Sequence, residues 1–202
     1  MENSDTLINF IKRSEGCSLK PYRCQAGYLT IGYGRNLETN GISQAEADSL
    51  LQNDLARAME EVKTIDGFSK FDSIVKLCLT DMAFNMGISR LKKFKKMLNA
   101  FKYAHYSKGL VELIDSKWFT DVGIRAKRIL VAIGYSNSKL LEYSGEDLDL
   151  KCYTLVCSLI NSAELPIPKR VLDLRDRLHQ SLYNEPYPFS VSDKENKNAK
   201  KI

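Results

Sequence analysis

Apolar side chains recur at helical spacing along most of this chain from residue 43 onward, whereas the stretch before it is punctuated by glycine and tyrosine. At the start, Leu7, Ile8, Phe10 and Ile11 share one side of a short helix that Ser4 or Asp5 can cap. Gly16 ends that helix and places Glu15 in its last turn or just beyond. Residues 17 to 37 read as short strands. Tyr22, Tyr28, Ile31 and Tyr33 supply strand-favouring side chains, and Pro21, Gly27, Gly32 and Gly34 break the runs.

Ser43-Gln44-Ala45-Glu46 has the form of a capping box, in which Ser43 and Glu46 satisfy each other's backbone amides. It predicts a helix through about Val62, with Ala47, Leu50, Leu51, Leu55, Ala58 and Met59 as its apolar stripe. Residues 73 to 86 are apolar on nearly every face, which suits a helix at the centre of a core stopped by Gly87. Leu91, Phe94, Met97, Leu98 and Phe101 then recur opposite Lys92, Lys93, Lys95 and Lys96, and further helices are expected near 107–116, 124–134, 146–163 and 167–183. The sum is an α+β chain, mostly helical. A small hairpin lobe (about 14–42) is tied by one long helix (about 43–62) to a larger helical lobe (about 70–143), with a ligand cleft expected between the lobes. Residues 144–183, with Cys152, Cys157 and Pro166 to Pro168, read as an added helical pair whose simplest role is packing; 184–202 read as a disordered basic tail.

The 202 residues are 44% hydrophobic and 27% charged, enough for a sizeable core. No apolar run reaches the length of a membrane span. Met1-Glu2-Asn3-Ser4-Asp5 is acidic and unlike a secretory leader, so a cytoplasmic start is expected. Five cysteines lack metal-ligand spacing and there are only two histidines, so no metal is expected. An odd cysteine count in a reducing compartment favours free thiols, although Cys17 and Cys24 are near enough in sequence to raise the question of a regulatory disulfide. The net charge of +5 suits an anionic polymer without saying which.

Three residues could carry chemistry. Glu15 lies at the carbonyl end of a helix, where partial negative charge favours a protonated acid. Cys24, nine positions on, is a base or nucleophile only as its thiolate. Thr30 offers a hydroxyl that can orient water. Taken singly, each fits an ordinary surface acid, a packing thiol and a strand-favouring threonine.

Together with their neighbours they say more. Gly27-Tyr28-Leu29-Thr30-Ile31-Gly32-Tyr33-Gly34-Arg35 closely resembles the glycine- and tyrosine-rich strand pair of phage-type lysozymes, glycoside hydrolase family 24. Glu15-Gly16, Leu19-Lys20-Pro21-Tyr22, the Gly41–Ala47 segment with Asn53-Asp54-Leu55, Phe84-Asn85-Met86-Gly87, Ser116-Lys117-Trp118-Phe119 and Arg125-Ala126-Lys127-Arg128 follow in that family's order, over roughly residues 5 to 140. The resemblance implies Glu15 as catalytic acid, Cys24 as second catalytic residue in place of the commoner aspartate, and Thr30 as the water-holding threonine. It places Arg125 opposite the acid, with Tyr22, Gly32 and Asn85 as supporting or cleft positions. Arg35 replaces a usual histidine, and an Arg35–Asp54 ion pair is expected from that exchange.

What the resemblance implies is a muramidase that cleaves the β-1,4 bond between N-acetylmuramic acid and N-acetylglucosamine in peptidoglycan, without cofactor. It implies inversion, while a thiolate close enough to attack carbon directly would give the retaining outcome. A monomer is expected; without a leader it would reach the wall only through a membrane lesion, as in phage lysis with a separate pore-forming protein, or by injection through a secretion or tail device. Reference pKa values near ~4.3 for glutamate and ~8.5 for cysteine are the wrong way round for this chemistry, leaving about one molecule in ten thousand in the working state at pH 7. Burial of the glutamate and Arg23 or Arg13 beside the thiol are the expected remedies, with a more alkaline optimum than a Cys24→Asp variant. Two other classes are weaker: a catalytically silent glycan-binding module, and a nucleic-acid binder resting only on charge and Lys92 to Lys96.

Overall fold

The computed structural model describes residues 2–163 and 166–186, without the side chains of Glu2 and Asn3; the expected tail lies outside the described residues from 187 onward. The chain divides into two compact units between Asp54 and Leu55.

In the first unit, α1 (Glu2–Glu15) begins before the expected caps, so Asp5 falls in its first turn, where a carboxylate favours the helix dipole. Gly16, at φ +68°, turns the chain out of it. Three strands follow, β1 (Ser18–Arg23), β2 (Leu29–Gly32) and β3 (Arg35–Asn36), forming one antiparallel sheet in that order. Tyr22 pairs with Thr30 and Arg23 with Leu29, and an irregularity lies between Ser18 and Tyr22. The β1–β2 turn is closed by the Gly27 amide donating to the Cys24 carbonyl at 2.8 Å and the Cys24 amide donating to Tyr28 at 3.0 Å. Gly27 sits at φ +85°, which a hairpin loop of this kind reserves for glycine. A short helix, α2 (Leu37–Asn40), was not expected; the Asn36 side chain caps it by accepting from the amides of Glu38 and Thr39.

Helix α3 (Gln44–Val62) contains the boundary between the units. Its capping box forms as expected: the Ser43 amide donates to Glu46 at 2.7 Å and the Glu46 amide to Ser43 Oγ at 3.3 Å. The apolar stripe is only partly buried. Ala58 and Val62 are enclosed, whereas Leu50, Leu51, Leu55 and Met59 are exposed.

The second unit is helical. A 3-10 turn (Phe68–Lys70) leads to α4 (Ser73–Met86), capped by the Asp72 carboxylate on the Val75 amide and ended at Gly87. Val75, Cys78, Leu79, Met82 and Ala83 are buried, but Leu77 and Phe84 are exposed, so α4 is not enclosed on every side. The helix expected across 91–101 is broken into α5 (Ile88–Leu91) and α6 (Lys95–Lys102). In a continuous helix Lys92 would stack on Lys95 and Lys96, and like charges at those spacings are destabilising. Then come α7 (Tyr106–Ile114), α8 (Lys117–Val122, capped by Ser116), α9 (Ile124–Gly134), a 3-10 turn (Ser138–Glu142), α10 (Gly145–Asn161) and α11 (Lys169–Tyr183).

One core holds the second unit together. Leu79, Leu113, Ile129 and Leu130 pack in the same cluster as Leu148, Cys152, Val156, Val171 and Leu174 of the extension, so α10 and α11 complete that core. Burying each such side chain contributes about 1.5–3 kcal/mol. Two glycines let helices approach: a Cβ on Gly134 of α9 would come within 2.3 Å of the Leu155 side chain, and one on Gly109 of α7 within 2.3 Å of the Phe101 ring. Phe101 is 1% exposed and has nowhere to retreat. Gly109→Ala is therefore expected to destabilise. Overpacking costs about 1–3 kcal/mol, against a gain of up to about 1 kcal/mol in helix propensity. A thermal midpoint at or above that of the wild type would contradict it.

Candidate active site

Cys24 closes β1 and Thr30 lies early in β2, and the hairpin brings them together. Thr30 is 4% exposed, the single buried side chain among the described residues of the first unit. Its hydroxyl donates to the Tyr28 carbonyl at 3.0 Å and lies near enough to the Cys24 sulfur to favour its thiolate. A hydroxyl has one proton, so as the thiolate forms that proton can turn from carbonyl to sulfur. Partial burial pushes the Cys24 thiol up, but the Thr30 hydroxyl and the backbone amides of Tyr28, Ala26 and Cys24 outweigh it, leaving the thiol below its ordinary pKa. Cys78 and Cys152 behave oppositely: burial pushes both up to about 12.

The expected help from arginine is not what lowers the thiol. Arg23 instead donates to the Gly27 carbonyl at 2.7 Å and meets Glu38 at 3.4 Å, bracing the hairpin loop. All five cysteines are free. Cys17 and Cys24 stand at opposite ends of β1, and an extended strand of that length separates them by on the order of 20 Å, far beyond the roughly 7 Å limit for bridged Cα atoms.

Glu15 ends α1 with an exposed carboxylate beside the β2–β3 turn, where a Cβ on Gly34 would lie 3.8 Å from its Oε2. Lys12, one turn earlier, places its ammonium 6.0 Å from the Tyr33 ring, a second link between α1 and that turn. Tyr22 stands across from Thr30 in the sheet, and Gly32 pairs with Ser18 at φ +67°.

Arg35 does not pair with Asp54. Its Nη1 meets Glu46 at 2.6 Å and its Nε donates to the Gly41 carbonyl at 2.8 Å. The reason is reach: Glu46 is in the first turn of α3, already drawn toward Ser43, whereas Asp54 lies eight residues, about 12 Å, further along the helix. The Ser43 hydrogen bonds first, and Arg35 as well, hold the Glu46 carboxyl below its ordinary pKa.

Asn85 and Arg125 belong to the second unit. Asn85, exposed near the end of α4, accepts from the Trp118 indole N–H at 2.8 Å. Arg125 is gripped by Asp81, four residues before Asn85 on α4, through Nε at 2.9 Å and Nη2 at 2.6 Å. That two-pronged hydrogen bonding raises the arginine's already high pKa. Asp81 was not singled out from the sequence, although it is the one carboxylate in the apolar run 73–86. Among the described residues no cluster of His, Cys, Asp and Glu is arranged to hold a metal ion.

A family model described as phage lysozyme matches residues 12–128, more than half of the chain. Probable T4-type lysozyme 2 of Dictyostelium discoideum is 26% identical over 168 residues, covering 68% of this chain and 98% of that protein. The endolysin of Acyrthosiphon pisum secondary endosymbiont phage 1 is 30% identical over 125 residues, covering 58% of this chain and 80% of the endolysin. The pre-baseplate central spike protein of Enterobacteria phage T4 is 26% identical over 221 residues; the match covers 91% of this chain but only 37% of the spike protein. With an acid at the end of α1, a thiol and threonine joined across a hairpin, and a family match that takes in all three, the chain belongs to the phage lysozyme family.

Proposed function

We propose that Glu15, Cys24 and Thr30 are the working groups of a peptidoglycan hydrolase. Membership of the family makes the chain a glycosidase of lysozyme type, acting on the β-1,4 bond between N-acetylmuramic acid and N-acetylglucosamine. In this reading Glu15 protonates the leaving oxygen while the Cys24 thiolate, with Thr30, activates water on the opposite face of the sugar. The hairpin that sets the buried Thr30 hydroxyl beside Cys24 carries the assignment, because it couples the thiol whose pKa is lowered to the hydroxyl expected to hold water. A water between sulfur and sugar gives inversion, and direct attack by sulfur gives retention; the resemblance favours inversion.

The remaining roles are supporting ones. Asn85 and Arg125 are assigned supporting or substrate-cleft roles, each held by a neighbour of its own unit, Trp118 and Asp81. Tyr22 and Gly32 shape the sheet around Thr30. The enzyme acts as a monomer and needs no cofactor. Five free thiols favour release from a reducing cytoplasm to the wall, through a lesion opened by a separate protein. No described helix is long and apolar enough to cross a membrane.

Turbidity of purified peptidoglycan, followed under reducing conditions across pH, tests the reading. Clearing by the wild type and none by Glu15→Gln is expected; no clearing by the wild type at any pH would favour a silent glycan-binding module. Thr30→Val keeps the buried shape and removes the hydroxyl, so its kcat should fall about 10–100-fold, with the rising limb of its pH profile displaced to higher pH. Thr30→Ser should recover most of the rate, and a Val variant with wild-type kinetics would remove Thr30 from the mechanism.

A further inference from the structure

Positive charge is concentrated in one part of this chain. Between residues 82 and 111 there are six lysines and Arg90, with no aspartate or glutamate. Those seven charges exceed the +5 of the whole chain, so the rest of it is net acidic. At the break between α5 and α6, Lys92, Lys93, Lys95 and Lys96 are all exposed. No described carboxylate lies within 4 Å of Lys92, Lys93 or Lys95, and Lys96 has only Glu112 at 3.9 Å. Lys95 and Lys96 also occupy the first turn of α6, which has no acidic residue and no side-chain cap, so the helix dipole disfavours them. An arrangement that costs stability in the isolated protein is relieved by an anion.

The shape around these lysines narrows the partner. Lys95 forms a ridge between two recesses of about 380 Å³ each, one shared with Lys93 and Lys96, the other with Lys92 and Lys102. Carboxylates line both recesses as well, Glu112 and Asp115 in the first and Asp66 in the second, where Asp66 holds Lys102 at 2.7 Å. Lys92, Lys93 and Lys95 are the lysines of these recesses left without a described carboxylate within 4 Å. Met97, Leu98 and Phe101 are buried, leaving this stretch of α6 no apolar anchor for lipid. Phe94 is the one aromatic side chain lining these two recesses and packs in part against the core, so there is no run of rings on which successive nucleic-acid bases could stack. A flexible chain of spaced phosphates can follow the ridge and place one charge near each lysine.

Resting on the peptidoglycan reading, we propose that Lys92, Lys93, Lys95 and Lys96 form a docking surface for a phosphodiester-bearing wall polymer, holding the enzyme on its insoluble substrate. The test is cosedimentation with purified walls that carry such a polymer and with the same walls stripped of it by acid, in the Glu15→Gln background so that walls are not digested. The parent should pellet with polymer-bearing walls and lose at least about tenfold in affinity on stripped walls. Changing all four lysines to Gln should give a similar loss, with the slope of log affinity against log salt shallower by about 0.7 per lysine. Changing all four to Arg should retain binding, which separates loss of charge from loss of fold. Equal pelleting of the Gln variant and the parent, or equal pelleting on stripped walls, would overturn the proposal. Tighter binding to single-stranded DNA or to vesicles of anionic phospholipid would overturn it in favour of those partners. Turbidity clearing with otherwise wild-type protein reports separately on the hydrolase reading.

Discussion

Glu15→Gln is expected to slow peptidoglycan clearing by about 10²–10⁴-fold, the usual contribution of a positioned general acid. The amide preserves the shape of the side chain and lacks the proton that the leaving oxygen needs. Glu15 is exposed at the last position of α1, so the loss should come without loss of fold. An unchanged thermal midpoint alongside lost activity would separate chemistry from stability. Glu15→Asp is informative as well: it keeps the proton but withdraws it by one methylene from the β2–β3 turn where Gly34 lies beside the carboxylate, and should fall between the two. A Gln variant clearing walls within about threefold of wild type would remove Glu15 from the acid role.

Local rules were readable wherever the determinants lie within one turn of each other. The Ser43–Glu46 capping box opens α3 as the sequence predicts, and α9 spans Ile124–Gly134, the range expected from its periodicity. The break between α5 and α6 was missed because apolar spacing alone is indifferent to the cost of stacking lysines. Likewise, the Arg35–Asp54 pairing followed a family position and ignored distance, whereas Glu46 was already fixed near Gly41 by its own cap. Asp81 shows a third limit. Its role as the clamp on Arg125 links residues 44 apart, and no periodicity joins them. A lone carboxylate in an apolar helix was nonetheless a usable signal, since such a group requires a partner.

Cys24 is where sequence posed a problem that the structure answers in part. A thiol with its ordinary pKa is mostly protonated at neutral pH, yet the reaction needs the anion, and hydrogen bonds from Thr30 and the hairpin amides, outweighing partial burial, shift the thiol toward it. Cys24→Ser should therefore lose activity by about 10²–10⁴-fold at every pH, because the serine hydroxyl does not ionise in the working range and the loss is that of a general base. Cys24→Asp should restore activity and change its pH dependence. The wild-type rate rises as the thiol, lowered from its ordinary value, loses its proton. The aspartate is ionised above about pH 4, so its rising limb should lie at lower pH. Combining each with Thr30→Val sharpens the assignment. If the hydroxyl acts by stabilising the thiolate, removing it moves the limb upward more in the cysteine enzyme than in the aspartate variant, whose carboxylate is already ionised. Profiles of kcat/KM against pH that coincide for Cys24 and Asp enzymes would show that ionisation of this thiol does not control the rate. Iodoacetamide supplies an independent check in a background where the accessible Cys17 and Cys157 are changed to Ser: it should inactivate the Cys24 enzyme faster as pH rises through the same limb and leave Cys24→Asp active, since Cys78 and Cys152 are buried with pKa values pushed up to about 12.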